Sequence, residues 1–405
     1  MKVLHIGTKD TGGAAIAAIR LHRGLLASGV SSSFLFLKRH REVECSYDFK
    51  KMLSIRPSLL ANIRRLIFRK DTVAYKQKQQ LKRFPGTYEG FSFATSDYDI
   101  TEHPAYQDAD IVNLHWVPRF LDYPSFFRKN KKPLVWTLHD MNPFLGGFHY
   151  EGDLERNSED LRKLSELVLK QKVEALKDAK IHIVAPSKWM LNASCRSQAF
   201  SSFPHSHIPY GLDLSVFKPL DKHFCREVFN LPQEKTILLF ISERIDHQRK
   251  GFDLLQNALS GIDTSSITLC AVGDQTPVSD ESIRSIAGIR DERLMSLLYN
   301  AADAFVLASR EDNFPNVVLE ATACGTPVIA FPIGGIPDIV QNEFNGVIAE
   351  GEEPTSTSLR QAILRFLNSS APFDRTKIRN YTSERYALSD QASAYTALYQ
   401  QILEK

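Results

Sequence analysis

The chain has 405 residues, 43% of them hydrophobic and 24% charged, with a net charge of +3. That length exceeds one ordinary α/β domain and suits two, and the composition is that of a globular protein with a sizeable core. Apolar runs such as 236–241 are strand-sized, which speaks against a spanning helix, and the net charge hides a strongly basic segment.

In chain order, residues 2–7 read as a buried strand that breaks at Gly7 before any signal-peptide-like stretch forms. A helix is expected over 14–28. Between Arg56 and Arg83, nine basic residues face one acid, Asp71, and Leu59, Leu60, Ile63, Leu66 and Ile67 recur at helical spacing. Two readings stand for this basic amphipathic segment: a solvated helix packed on its own domain, or a patch that docks on an anionic membrane surface. No aromatic-interleaved basic motif accompanies it, so nucleic acid is not expected as a partner. Strands are then expected at 33–37, 111–114, 134–138 and 181–185, with a long helix over 158–179. A second series begins after Pro209, with strands at 236–241, 267–272, 304–308 and 327–330 and a terminal helix over 386–403. This alternation predicts a parallel α/β fold in two domains. The first is expected over 1–208 and the second over 209–385, hinged at 208–213, with 386–405 packing back on the first. The five cysteines are scattered and lack CxxC spacing, so they read as reduced residues of a cytoplasmic protein, and no metal site is expected.

Ligands of such sheets collect at the carboxyl ends of strands, where loops meet helix N-termini. Gly12 and Gly13 come just after the first strand, where they permit a tight turn and a close backbone approach to an anion. They do not form the GxGxxG fingerprint, which argues against a dinucleotide-dependent oxidoreductase. His115 and His139 each lie just past a strand, where a neutral imidazole can bond a sugar hydroxyl or position an acceptor. The aromatic, glycine-rich loop 143–150 offers Phe148 and Tyr150 as acceptor contacts, or is simply a packed loop. In the second half, Arg244, Arg249 and Lys250 form a candidate diphosphate clamp. Downstream, Ser309–Glu320 joins a strand to a helix, with Asp312 in the loop, Pro315 suited to a first helical turn, and Glu320 placed to accept two ribose hydroxyls. Gly334 and Gly335 come after the next strand. Asp108 and Asp110 have DxD form but directly precede the 111–114 strand and read as flanking it.

Taken together, Gly12-Gly13, His139, Pro186-Ser187-Lys188, residues 208–213, Arg249-Lys250-Gly251, and Asp312 and Glu320 with 321–328 resemble the retaining GT-B glycosyltransferases of family four, over nearly the whole chain. The resemblance implies two Rossmann-like domains with parallel sheets facing across a cleft. It implies transfer of a sugar from a nucleotide diphosphate sugar, UDP- or GDP-linked, to a glycan or polyprenyl-linked acceptor, with no separate cofactor and no metal requirement. Relatives of this kind make bacterial surface polysaccharides or lipid-linked oligosaccharides. By the same likeness, Lys250 and an arginine grip the diphosphate, and Glu320 holds the ribose. Asp312 and the backbone of Asn313, Phe314, Pro315 and Asn316 contact the sugar, and His139 lines the catalytic centre. Apart from the likeness, base recognition is expected around Val272-Gly273-Asp274 and the residues after it, and near 289–292. The family's first glutamate is Asp312 here, one methylene shorter, and Arg244 stands six rather than five residues before Lys250, so Arg244 and Arg249 both remain candidates. Fold alone also admits a sugar-nucleotide epimerase or a non-catalytic sugar-nucleotide-binding subunit.

Overall fold

A computed structural model describes residues 1–54, 72–244, 247–274, 283–369 and 372–404. The apolar stripe of the basic segment, 59–67, lies outside the described residues. The C-terminal part of that segment forms the Val73–Leu81 helix, whose N-terminus is capped by the Thr72 hydroxyl and which buries no residue completely.

The chain divides into two compact units, Met1–Pro209 with Gln391–Lys405, and Tyr210–Asp390. In the first unit the strands are β1 (Lys2–Lys9), β2 (Ser31–Lys38), β3 (Ser46–Asp48), β4 (Ile111–Leu114), β5 (Leu134–Thr137), β6 (Ile181–Ala185) and β7 (His205–His207). They form one sheet in the order β3-β2-β1-β4-β5-β6-β7, and every pairing is parallel. The central strands β4 and β5 are buried at every position, as expected of a parallel sheet covered on both faces. Trp136, fully buried on β5, packs among Tyr123, Phe127 and Phe200, and a side chain of that size contributes roughly 3 kcal/mol through burial. Asp108 and Asp110 flank β4 and engage Lys2, through its ammonium at 2.6 Å and its amide at 2.7 Å.

The terminal helix, Leu388–Leu403, starts later than its periodicity suggests. The Leu212 amide donates to Tyr386 O at 2.9 Å and the Leu388 amide donates to Leu212 O at 3.1 Å, so this stretch is held as a short parallel bridge instead of a helical turn. From Gln391 onward the helix belongs to the first unit. There Tyr395 OH meets Thr137 Oγ1 at 2.9 Å, and Asn113 Nδ2 donates to Tyr399 OH at 2.7 Å.

The second unit carries β8 (Thr236–Arg244), β9 (Ile267–Asp274), β10 (Ile283–Ile286), β11 (Ala304–Leu307), β12 (Val328–Ala330) and β13 (Gly346–Ile348). Their order is β10-β9-β8-β11-β12-β13, again all parallel. Each sheet therefore reverses its winding once, between β1 and β4 in the first unit and between β8 and β11 in the second. Parallel sheets bind ligands outside the carboxyl ends of the strands at such reversals, because the two diverging loops leave a crevice there. The loops after β1, β4, β8 and β11 carry many of the candidate residues, among them Gly12, Gly13, His115, Arg249, Lys250 and Asp312, and His139 follows the neighbouring strand β5.

Candidate active site

In the first unit, β1 runs into Gly12, whose φ of 88° is open to glycine at little cost. Gly13 then opens the Gly13–Ala27 helix, and no side chain caps it, so its leading amides present their positive end beyond the strand.

The histidines after β4 and β5 form part of a chain of three. His5 Nδ1 lies 2.8 Å from His115 Nε2, and His115 Nδ1 lies 3.0 Å from His139 Nε2. Exposure rises along the chain from 0% at His5 through 2% at His115 to 8% at His139. Burial holds all three rings neutral. It lowers His139 to about 4, with Asp140 offsetting only part of the effect, and it takes His5 and His115 well below the usual imidazole range. His115 is therefore corrected as an acceptor contact: both its ring nitrogens are engaged by other histidines and its surface is covered.

Asp140, next to His139, is a hub that the sequence did not single out. It accepts from His149 Nδ1 at 2.6 Å, Trp116 Nε1 at 2.7 Å and the Asn142 amide at 3.0 Å. Burial works against its charge, but His149, Trp116 and the Asn142 amide outweigh burial and keep the carboxyl below its ordinary range. The loop after it is tied down from inside. Lys172, fully buried, donates to the carbonyls of Asn142 and Gly146, the latter at 2.6 Å, and burial lowers its ammonium to about 7.

That anchoring overturns the acceptor role expected of Phe148. Its side chain has no exposed surface and packs edge-on against Phe91 and Tyr88. Tyr150, 9% exposed, is likewise covered and precedes the Glu151–Arg156 helix. An aromatic, glycine-rich stretch suits a binding loop and a packed one equally. Here Gly147 settles the matter, because a Cβ on it would stand 2.0 Å from the Phe91 ring.

In the second unit, β8 ends at Arg244, which is exposed. The chain returns through Gln248–Lys250 to Gly251, where φ of 68° and a site 1.9 Å from the Ala308 carbonyl for any Cβ both require glycine. This approach brings the loops after β8 and β11 together. Lys250 Nζ lies 2.7 Å and Arg249 3.5 Å from the same Asp312 oxygen, and Arg249 also donates to Glu311 O at 2.8 Å. Arg310 answers from the other side with a two-pronged bond to Asp253 at 2.9 and 2.6 Å. Between the two arginines considered, Arg249 stands in the cluster with Lys250, and Arg244 lies at the exposed end of the strand.

Beyond Asp312 the loop is pinned by Phe314, whose ring is buried against Tyr210 and Tyr386, so that residue can offer a ligand only its backbone. Asn313 is buried beside it. Pro315 is the N-cap rather than the first helical residue, and the helix itself is Asn316–Ala323. Glu320, 6% exposed in this helix, accepts from Tyr299 OH at 2.8 Å, a bond that fixes one carboxylate oxygen. Gly334, with φ of 51°, lies directly against the Asp312 backbone. Gly273 lies within β9 near its end, one residue before Asp274. The sequence missed Tyr299, Arg310, Asp253 and the purpose of Gly334, because no local spacing marks a residue that acts on another about 20 to 60 positions away in the chain.

Residues 235–369 match the family Glycosyl transferases group 1. A D-inositol 3-phosphate glycosyltransferase of Segniliparus rotundus is 28% identical over 240 residues, 55% of this chain and 51% of that protein. The chain thus spans about half the length of that curated relative. A D-inositol 3-phosphate glycosyltransferase 2 of Catenulispora acidiphila aligns at 23% identity over 98% of this chain and 92% of its own. Among solved structures, sucrose-phosphate synthase from Thermosynechococcus elongatus superposes with a TM-score of 0.71 at 19% identity over the full length of both chains. Anabaena HepE in complex with UDP-glucose superposes at 0.66 and 15%, over 99% of this chain and all of that one. Residues 235–369 thus match the Glycosyl transferases group 1 family, and the two parallel α/β units of the chain have the GT-B glycosyltransferase fold.

Proposed function

We propose that this protein is a retaining hexosyltransferase that moves a sugar from a UDP- or GDP-sugar to a glycan or polyprenyl-linked acceptor, in the synthesis of a bacterial surface polysaccharide. The observation that carries this reading is the meeting of Lys250 and Arg249 at Asp312, beside the winding reversal of the second sheet and ahead of the helix that holds Glu320. Departure of a nucleoside diphosphate builds negative charge on its β-phosphate. Fixed cations and helix-start amides stabilise that charge without reorganising during the reaction. Asp312 holds the cations in place and, with the backbone of 313–316, contacts the transferred sugar. Glu320, oriented by Tyr299, accepts from the ribose hydroxyls, and neutral His139 bonds a hydroxyl near the reacting centre. No cofactor beyond the nucleotide sugar enters this scheme.

The names of the relatives support a transferase with a polyol or sugar acceptor, and the HepE complex supports a uridine diphosphate donor. We further place the protein at the cytoplasmic face of the membrane, with the basic segment 56–83 meeting anionic lipid. The test starts with thermal shifts of the purified chain in UDP- and GDP-sugars, where a ligand at 100 times its Kd stabilises by about 2.7 kcal/mol. It continues with donor consumption in the presence of polyprenyl-linked, glycan and inositol phosphate acceptors. Stabilisation plus acceptor-dependent release of nucleoside diphosphate supports the proposal, and no shift with any nucleotide sugar refutes it. Sugar conversion without acceptor indicates an epimerase instead, and binding with no turnover indicates a non-catalytic subunit.

A further inference from the structure

We infer that His5 and His115 are positioning residues that fix the tautomer and ring plane of His139, an inference that rests on the catalytic placement of His139 proposed above. The three rings come from adjacent strands β1, β4 and β5, which stand side by side in the sheet. Successive centroids are 5.1 and 5.3 Å apart and the planes are inclined by 31° and 35°, so each ring presents a nitrogen edge to the next.

The connectivity has a chemical consequence. Each contact joins Nδ1 of one histidine to Nε2 of the next, and a neutral imidazole has one donor and one acceptor nitrogen. With burial keeping all three neutral, a bonded chain exists only when every ring carries its proton on the same-named nitrogen. Either all are Nδ1–H and donate outward, or all are Nε2–H and donate inward. The tautomer of the most exposed ring, His139, is thus coupled to those of the two rings buried behind it.

The surroundings support a device rather than filler. His5 Nε2 is buried without a partner, whereas a phenylalanine at this position would fill the space with no orphaned polar atom. His5 stacks on Phe34, at 5.6 Å and 26°, and Phe34 stacks on Phe36, so the inner end cannot rotate freely. The neighbouring His22 is committed elsewhere: its Nε2 donates to Glu44 O at 2.9 Å and its Nδ1 accepts from Ser32 Oγ at 2.7 Å. Trp136 Nε1 donates to His115 O at 3.3 Å and steadies the middle residue. An orienting partner that fixes one histidine tautomer is the device used in hydrolytic triads and around metal-bound histidines, there built from carboxylates and here from imidazoles.

Imidazole nitrogen-15 shifts of the wild-type chain at pH 7.5 test the inference without requiring turnover. The expected result is a single neutral tautomer shared by His5, His115 and His139. Opposite tautomers at His115 and His139, or a His139 signal averaged between tautomers, would overturn it. His115→Phe is expected to shift the nitrogen signals of His139 and uncouple its tautomer from that of His5, and His115→Asn, which returns an amide near the position of Nδ1, to restore the wild-type signals of His139. His5→Phe tests the inner end with a change of similar size. On the transfer reaction, His115→Phe is expected to lower kcat by roughly 10-fold or more with little change in donor KM, and His115→Asn to recover most of the loss. Equal losses in the Asn and Phe variants, with the His139 tautomer unmoved, would reduce His115 to a packing residue. Should the chain transfer no sugar at all, the nitrogen shifts still decide the tautomer question on their own.

Discussion

Replacing Gly334 by alanine tests whether the Asp312 loop depends on backbone contact from the neighbouring strand. A Cβ at Gly334 would stand 1.7 Å from the Asp312 carbonyl oxygen, and ordinary contact begins at 3.4 Å, so that carbonyl must retreat by about 1.7 Å, the difference between the two. Asp312 carries the contacts to Lys250 and Arg249, so the shift spreads to both cations. A displacement near 1 Å in a catalytic array costs roughly 100-fold in rate, so transfer should fall by at least about that factor, near 2.7 kcal/mol. Stability should fall as well, by roughly 1–2 kcal/mol for the left-handed backbone at φ of 51° and about 1–3 kcal/mol for overpacking. Gly351→Ala separates the two effects. Gly351 also has a positive φ, 94°, but nothing lies within 4 Å of its Cβ site, so only the backbone strain of about 1–2 kcal/mol applies and transfer should be untouched. The assay pairs urea unfolding with donor turnover for both variants. If Gly334→Ala turns over within about threefold of wild type and is no less stable than Gly351→Ala, the loop does not depend on this contact and the reasoning fails.

Three other outcomes are expected. Lys250→Ala should cost about 3 kcal/mol of transition-state stabilisation while the fold persists, and turnover equal to wild type would remove Lys250 from the diphosphate site. Phe148→Ala should destabilise by about 3–5 kcal/mol through a core cavity, while donor and acceptor KM stay unchanged in whatever protein folds; a selective rise in acceptor KM would return Phe148 to the binding site. Stability should also fall as pH drops. His139 has a folded pKa of about 4 against 6.5, so the unfolded chain binds more protons between those values and unfolding gains ground through that window. At about 1.4 kcal/mol per unit the full deficit at His139 is roughly 3 kcal/mol, and His5 and His115 act in the same direction. Asp140 acts separately: its lowered carboxyl stabilises above pH 3.8 and loses that contribution only below it. Urea midpoints at pH 7.5 and 5 check the sign, and a midpoint that holds or rises at pH 5 would contradict it.

The fold class was legible in the sequence because it rests on local periodicity. Buried parallel strands read as continuous apolar runs, as at 236–241 and 304–308, and helices show their apolar stripe and caps, as where Ser158 caps Glu159–Leu176. The candidate loops were legible for the same reason, since a ligand-binding loop comes after a strand end and strand ends can be read one at a time. Where a side chain points was not. Aromatic and imidazole side chains suit a sugar site, which makes Phe148 and His115 acceptor candidates, and nothing adjacent in sequence reports that Phe91 covers one and that His5 and His139 take both nitrogens of the other.

The sequence alone determined the period of each element, the two-series organisation and which strand ends carry charge. Only the tertiary structure decided which of those charges meet. Arg249 rather than Arg244 stands with Lys250 at Asp312 because Gly251 and Gly334 allow backbones from β8, β11 and β12 to approach more closely than any Cβ permits. Pairings across a sheet join residues some 60 positions apart in the chain, as between Lys250 and Asp312, and no local pattern encodes a contact at that separation.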